Sequence, residues 1–179
     1  MTYAKTFEEL DKLAHDRTSF DCGETELNIF ITTQALQHKK AGISRTMVLP
    51  TLLPLANKKY SICAFYCATT STIYRESLPA SLAKKLPHYP VPVFLIAQLA
   101  VDKNYHGNGL GKITLIKALQ YLWQVNQYMP AYAIIVDCLT ASAEKFYAKF
   151  GFELLCVHNN RTRLFLPMKT VEQLFSGKS

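Results

Sequence analysis

The sequence predicts an α/β (α+β) fold in which helices flank a mixed central sheet. Three observations predict it. Apolar patterning changes period repeatedly along the chain, in the order αα-ββ-β-α-β-α-ββ-α. Val93–Val101 is a nearly continuous apolar run, as expected of a strand covered on both faces. A helix-period segment, Lys112–Gln127, follows it after a glycine-rich turn.

The elements follow in order. Phe7, Leu10, Leu13 and Ala14 recur at helical spacing and predict a helix over Thr6–His15. After Gly23, Glu24 and Glu26 favour a first turn, and Leu27, Phe30, Ile31 and Ala35 carry a second helix to His38, ended by a basic cluster before Gly42. Ser44–Pro50 and Lys58–Tyr74 read as hairpin neighbours, rich in β-branched and aromatic residues. Leu78–Pro92, with Pro79, Pro87, Pro90 and Pro92, reads as a loop. In the helix Lys112–Gln127 a polar stripe of Thr114, Lys117, Gln120, Gln124 and Gln127 leaves Ile113, Ile116, Leu119, Leu122 and Trp123 for a sheet. Ala131–Leu139 is another strand, and Ser142–Phe150 a short helix stopped by Gly151. Strands Phe152–Val157 and Thr162–Leu166 flank the turn His158-Asn159-Asn160, and Val171–Phe175 closes the chain as a helical turn.

Length and composition narrow the function classes. A chain of 179 residues with 49% hydrophobic composition reads as a single domain, 1–179, with no internal repeat. The longest apolar run, Val91–Val101, is broken by Pro92 and Gln98 and falls short of the ~20 residues of a membrane-spanning helix. The N-terminus mixes charge signs and lacks the apolar core of a secretory signal, so a cytoplasmic location is expected. Five scattered cysteines predict free thiols, and no Cys or His spacing predicts a metal site. Cys63 and Cys67 stand about 13 Å apart in an extended strand, too far to bridge. The formal charge of +7 leaves room for an anionic partner.

Tyr105-His106-Gly107-Asn108-Gly109-Leu110-Gly111-Lys112 lies between a buried strand and a helix. Glycines at alternate positions fold the backbone tightly and turn successive N–H groups outward, and at a helix N-terminus such a loop cradles an anion such as pyrophosphate. A P-loop would need Gly at His106 and Ser or Thr at Ile113, and a dinucleotide fingerprint would need Gly at Lys112. Both nucleotide readings fail on spacing.

This loop resembles the pyrophosphate loop, Q/R-x-x-G-x-G/A, of the GNAT (general N-acetyltransferase) superfamily. Phe146-Tyr147-Ala148-Lys149-Phe150-Gly151-Phe152 is similar to that family's F-Y-x-x-x-G-F element. The resemblance implies the GNAT fold, a mixed sheet splayed where acetyl-coenzyme A binds. It places the cofactor at Leu99, Ala100 and Val101 and at His106 through Lys112, with His106 where the family has Gln or Arg. Within the family, Phe20–Leu49 and Arg161–Phe175 resemble GNAT toxins of type II toxin–antitoxin modules. That implies acetylation of the α-amino group of aminoacyl-tRNA, a ribbon-helix-helix antitoxin partner and a homodimer. The competing expectations are a GNAT acting on a small amine or a protein N-terminus, and a non-catalytic GNAT-fold RNA-binding or regulatory module, for which His106 is the supporting residue.

The resemblance makes Tyr147 the catalytic candidate, a general acid for the departing thiolate; the competing reading is a core aromatic among Phe146 and Phe150. Backbone N–H groups around Leu99–Val101 would meet the oxyanion. Asp102, Asp137 and Glu76 offer no clear base, and an aminoacyl ester amine, with a pKa at or below about 7.7–8.0, needs none. Lys39, Lys40, Arg45, Arg161 and Arg163 are the candidate RNA-binding residues, the arginines because they pair bidentately with phosphate.

Overall fold

The computed structural model describes residues 3–177, so the single-domain expectation over 1–179 reaches slightly beyond it at both ends. Strands are β1 (Glu8–Glu9), β2 (His15–Asp16), β3 (Arg45–Pro54), β4 (Tyr60–Ile73), β5 (Val91–Val101), β6 (Ala133–Cys138), β7 (Glu153–His158) and β8 (Arg161–Pro167). Helices are α1 (Thr25–Ile29), α2 (Ala35–Ala41), α3 (Ala80–Ala83), α4 (Leu110–Asn126), α5 (Ala141–Ala148) and α6 (Met168–Phe175). Contacts resolve the chain into two compact units, one of Met1–Thr69 with Ala97–Ala118, the other of Thr70–Ile96 with Leu119–Ser179.

In the first unit β1 and β4 flank β3 in antiparallel register, and β2 lies parallel to β4. Phe20, Phe30, Ile31, Val48, Ile62 and Phe65 form its core, with Leu27 and Ala97 packed against them. The expected helix over Thr6–His15 is absent. Glu8 and Glu9 pair instead with Val48 and Met47 of β3, and the Leu10 N–H donates to the Thr46 carbonyl. Asp11 then accepts from the N–H groups of Leu13 and Ala14, a local turn that competes with helix propagation. Phe7 and Leu10 still face a core, but Leu13 is exposed. Tertiary strand pairing overrides the helical spacing there.

The second expected helix forms with an irregularity. Between α1 and α2 the residues Phe30–Gln34 adopt a π-helical turn, in which the Ala35 N–H reaches back to the Phe30 carbonyl. Gly42 ends the run in the left-handed conformation at φ 70°, the geometry that favours glycine after a helix.

In the second unit β6 is parallel to β5 and antiparallel to β8, and β7 pairs antiparallel with β8. The match of β6 to β8 runs over six residue pairs, whereas β5 and β6 share only Phe94↔Ile134 and Leu95↔Ile135. Asn159 and Asn160, at φ 49° and 60°, make the tight β7–β8 turn. Ala133, Ile135 and Phe165 form one core cluster with Ile73, Val91 and Val93 of the neighbouring strands and with Leu86 from the segment between β4 and β5. The expected faces of α4 are corrected at three positions near its start, in the first unit: Thr114 is fully buried, its hydroxyl donating to the Leu110 carbonyl, while Ile113 and Ile116 are exposed. Back-bonding satisfies the hydroxyl, so a threonine can occupy the core side.

Candidate functional site

The glycine loop begins at a buried carboxylate. Asp102, just beyond β5, accepts from the Asn104 N–H and side-chain amide through one oxygen and from the Asp21 N–H through the other. Its own N–H donates to the Cys63 carbonyl of β4. Asp21 in turn accepts from the Lys103 ammonium at 2.6 Å, from Gly23 N–H and from the Asn28 amide. The Lys103 hydrogen bond, followed by those of Gly23 and Asn28, holds the Asp21 carboxyl well below the usual carboxylate range. This network was not found from sequence, although Phe20-Asp21-Cys22-Gly23 was part of the motif noted there. Asp102 is fully engaged as a cap and is no general base.

Beyond a short 3-10 turn, Lys103–Tyr105, the chain passes His106 and reaches Gly107 and Gly109 at φ 78° and 74°. The Gly109 carbonyl accepts from the Ile113 N–H and so opens α4. That geometry leaves the N–H groups of Leu110, Gly111 and Lys112 with no carbonyl one turn back, aimed out of the helix start with its partial positive charge. His106 Nε2 donates to the Val101 carbonyl at 2.7 Å, which folds the ring back onto the strand end. A cavity of about 250 Å³ adjoins the loop, lined by Tyr3, Tyr105, Asn108 and Leu110. Burial, then the hydrogen bond with Cys63, pushes the Tyr105 phenol up to about 12.

Alternation of backbone direction separates the three expected strand residues. Because Asp102 N–H points to β4, Leu99 and Val101 N–H point to the opposite edge, whereas Ala100 N–H points to β4 and its side chain is buried in the core. Leu99 and Val101 are thus the residues whose amides are presented away from β4.

Tyr147 belongs to the second unit, on α5, whose start is capped by Thr140 accepting from the Ala143 N–H. It is 8% exposed and sits edge-on to Phe146 and Phe152 at centroid distances of 5.2 and 5.3 Å. Burial, with a smaller contribution from Cys138, pushes its phenol far above the usual value, so the hydroxyl keeps its proton through the neutral and alkaline range.

The cation candidates divide. Lys39 Nζ donates to the Leu10 carbonyl at 2.9 Å and lies 3.5 Å from Glu9, whose carboxylate is also 3.9 Å from Arg45. The structure therefore brings Lys39 and Arg45 together around Glu9, with Lys40 exposed on the same helix. Arg161 opens β8, half-buried. Arg163 is corrected as a phosphate ligand: it is buried and grips both oxygens of Asp137 at 2.7 and 2.8 Å, tying β8 to β6. That pair also occupies Asp137, the other candidate base. Among the described residues no group of three His, Cys, Asp or Glu converges to hold a metal, and the five cysteines are free.

Comparison with known proteins adds a family description. Residues 62–154 match the acetyltransferase (GNAT) domain. The chain is 31% identical over 141 residues to the tRNA-acetylating toxin of Mycobacterium tuberculosis, spanning 79% of this chain and 80% of the relative. It is similar to AtaT complexed with acetyl-methionyl-tRNAfMet, at 30% identity and TM-score 0.82 over 95% of this chain and 98% of that one. A tyrosine-to-phenylalanine AtaT variant bound to the C-terminus of the antitoxin AtaR and acetyl-CoA is similar at 26% identity and TM-score 0.79, over 96% and 98%.

Two substitutions probe this geometry. Gly109→Ala should lower unfolding free energy by about 1–2 kcal/mol, through φ alone since an added Cβ meets nothing within 4 Å; Gly109→Asn should lose less, because Asn tolerates that region. Asp137→Ala, which leaves Arg163 buried without its partner, should lose about 3 kcal/mol in urea unfolding.

Proposed function

The chain belongs to the GNAT acetyltransferase family, and on that premise we propose that it moves the acetyl group of acetyl-coenzyme A onto the α-amino group of aminoacyl-tRNA and so blocks translation. The observation that carries this reading is the helix-start loop with Gly107 and Gly109 at positive φ, which fits a pyrophosphate, in a chain similar over 79% of its length to a tRNA-acetylating toxin and over 95% to AtaT complexed with acetyl-methionyl-tRNAfMet. The substrate is cytoplasmic, and so is the enzyme. Among the described residues no helix is long and apolar enough to cross a membrane. An antitoxin partner is supported by the AtaT variant bound to AtaR.

Acetyl-coenzyme A supplies a thioester; the amine forms a C–N bond to its carbonyl carbon as the C–S bond breaks. The N–H groups of Leu110, Gly111 and Lys112 bind the pyrophosphate with no demand on side-chain charge. Leu99 and Val101 present N–H groups to the thioester arm, and the carbonyl oxygen gathers its charge against them. His106 fixes the Val101 carbonyl. Tyr147 O–H gives its proton to the departing sulfur, and the proton shed by the attacking amine passes to water. The surrounding Phe146, Phe152 and Cys138 keep that hydroxyl neutral.

Tyr147→Phe should retain the fold and acetyl-coenzyme A affinity while slowing acetyl transfer by about 10²-fold or more; undiminished turnover would remove Tyr147 from the mechanism. Because burial raises the Tyr147 pKa, the acid form persists as pH rises. kcat/KM should then climb through the amine pKa near about 8 and show no alkaline fall below about pH 10. A total aminoacyl-tRNA pool incubated with enzyme and labelled acetyl-coenzyme A should yield labelled aminoacyl esters by mass spectrometry. Their absence would redirect the reading to a small amine or a protein N-terminus.

A further inference from the structure

Residues 74–90 join β4 to β5 and lie wholly in the second unit. Their apolar members turn inward: Leu86 is in the core with Ile73 and Val91, and Leu78 and Leu82 pack against it. Their aromatic and cationic members turn outward, with Tyr74 55% and Tyr89 67% exposed and Lys84 and Lys85 exposed between them. Arg75 stands beside Tyr74 and His88 beside Tyr89. Arg75 Nη1 donates to His88 Nε2 at 2.7 Å and to the Leu86 carbonyl at 3.3 Å, which fastens the two ends of the segment to each other. Pro79, Pro87 and Pro90 stiffen what lies between. The segment carries three cationic side chains, Arg75, Lys84 and Lys85, against one carboxylate, Glu76.

Two exposed aromatic faces on a braced, basic, proline-stiffened segment match the chemistry that binds unpaired nucleotides: bases stack on the rings while ammonium groups meet the phosphates. A protein-docking surface would present the leucines, and these are already committed to the core. We propose that residues 74–90 are a platform for the single-stranded 3′ end of the acceptor RNA, with Tyr74 and Tyr89 each stacking a base and Lys84 and Lys85 each neutralising a phosphate. The assignment rests on the aminoacyl-tRNA reading and deepens it. Arg75 acts as the brace that holds Tyr74 and Tyr89 at one junction.

The test measures binding without catalysis. The full chain is titrated with a deacylated RNA hairpin bearing a four-nucleotide single-stranded 3′ tail and with its blunt counterpart. The tail should strengthen binding by about tenfold or more. The double variant Tyr74→Ala with Tyr89→Ala should abolish that advantage, whereas Tyr74→Phe with Tyr89→Phe, which keeps the ring faces, should preserve it. Lys84→Gln with Lys85→Gln should reduce the slope of log K against log salt by about 1.4, the effect of two single-strand phosphates. A tail advantage unchanged in the alanine double variant would overturn the platform, as would binding of that variant's blunt and tailed RNAs weakened equally. Because the RNA is deacylated, failure to acetylate aminoacyl-tRNA would strike the proposed function alone, and an active enzyme with an unaltered tail advantage would strike the platform alone.

Discussion

The carboxylate of Asp102 fixes the end of β5, and the glycine loop inherits its geometry from there. Its two oxygens hold Asn104 on one side and the Asp21 backbone on the other, and the adjacent N–H is spent on Cys63. Lys103 adds an ion pair to Asp21 and a backbone bond to the same residue. The strand end, the 3-10 turn and the segment leading into α1 are therefore one hydrogen-bonded body. Only after this junction does the chain enter glycine conformations. A loop that recognises an anion through backbone amides needs its first residue placed before it turns, and buried charge-assisted bonds do this more firmly than loop packing could.

In the proposed reaction the tasks divide between backbone and side chain. Anion recognition at Leu110, Gly111 and Lys112 and amide presentation at Leu99 and Val101 would use groups that every residue except proline carries. Proton delivery would fall to one phenol, which α5 holds among Phe146 and Phe152. Positive charge enters through different residues again. Lys39 and Arg45 share Glu9, whereas Arg163 is consumed internally by Asp137. The net charge of +7 thus overstates the number of cations offered to a partner.

Most strands and helices were legible because their signals were local. The β-branched run of β4, the apolar run of β5, the Asn159-Asn160 turn and the Gly151 stop are each dictated by the residues that form them. Thr6–His15 was misread because Phe7 and Leu10 satisfy a helical period and a strand edge equally, and pairing with β3, distant in sequence, decided between them. The same distance hid the Asp21–Asp102 junction, whose members lie far apart in the chain. Arg163 was misjudged since alternation along β8 turns it toward Asp137, a partner visible only once the register of β6 and β8 is known. The loop and Tyr147 were singled out as candidates through motifs, but the division between Leu99, Val101 and Ala100 required knowing which edge faces β4.

The π-helical turn at Phe30–Gln34 has a bearing on how this chain changes over generations. A π turn is what one extra residue leaves behind when it enters a helix without breaking it. Removing a single residue there would restore regular winding. Because the wide turn takes up the extra residue, α1 and α2 would keep their present faces, with Lys39 against the Leu10 carbonyl and Glu9 and with Phe30 seated in the core. A one-codon deletion here is thus absorbed, whereas the same deletion in a regular helix would turn all later residues by about 100°, so this turn is where the chain can change length without moving its basic surface.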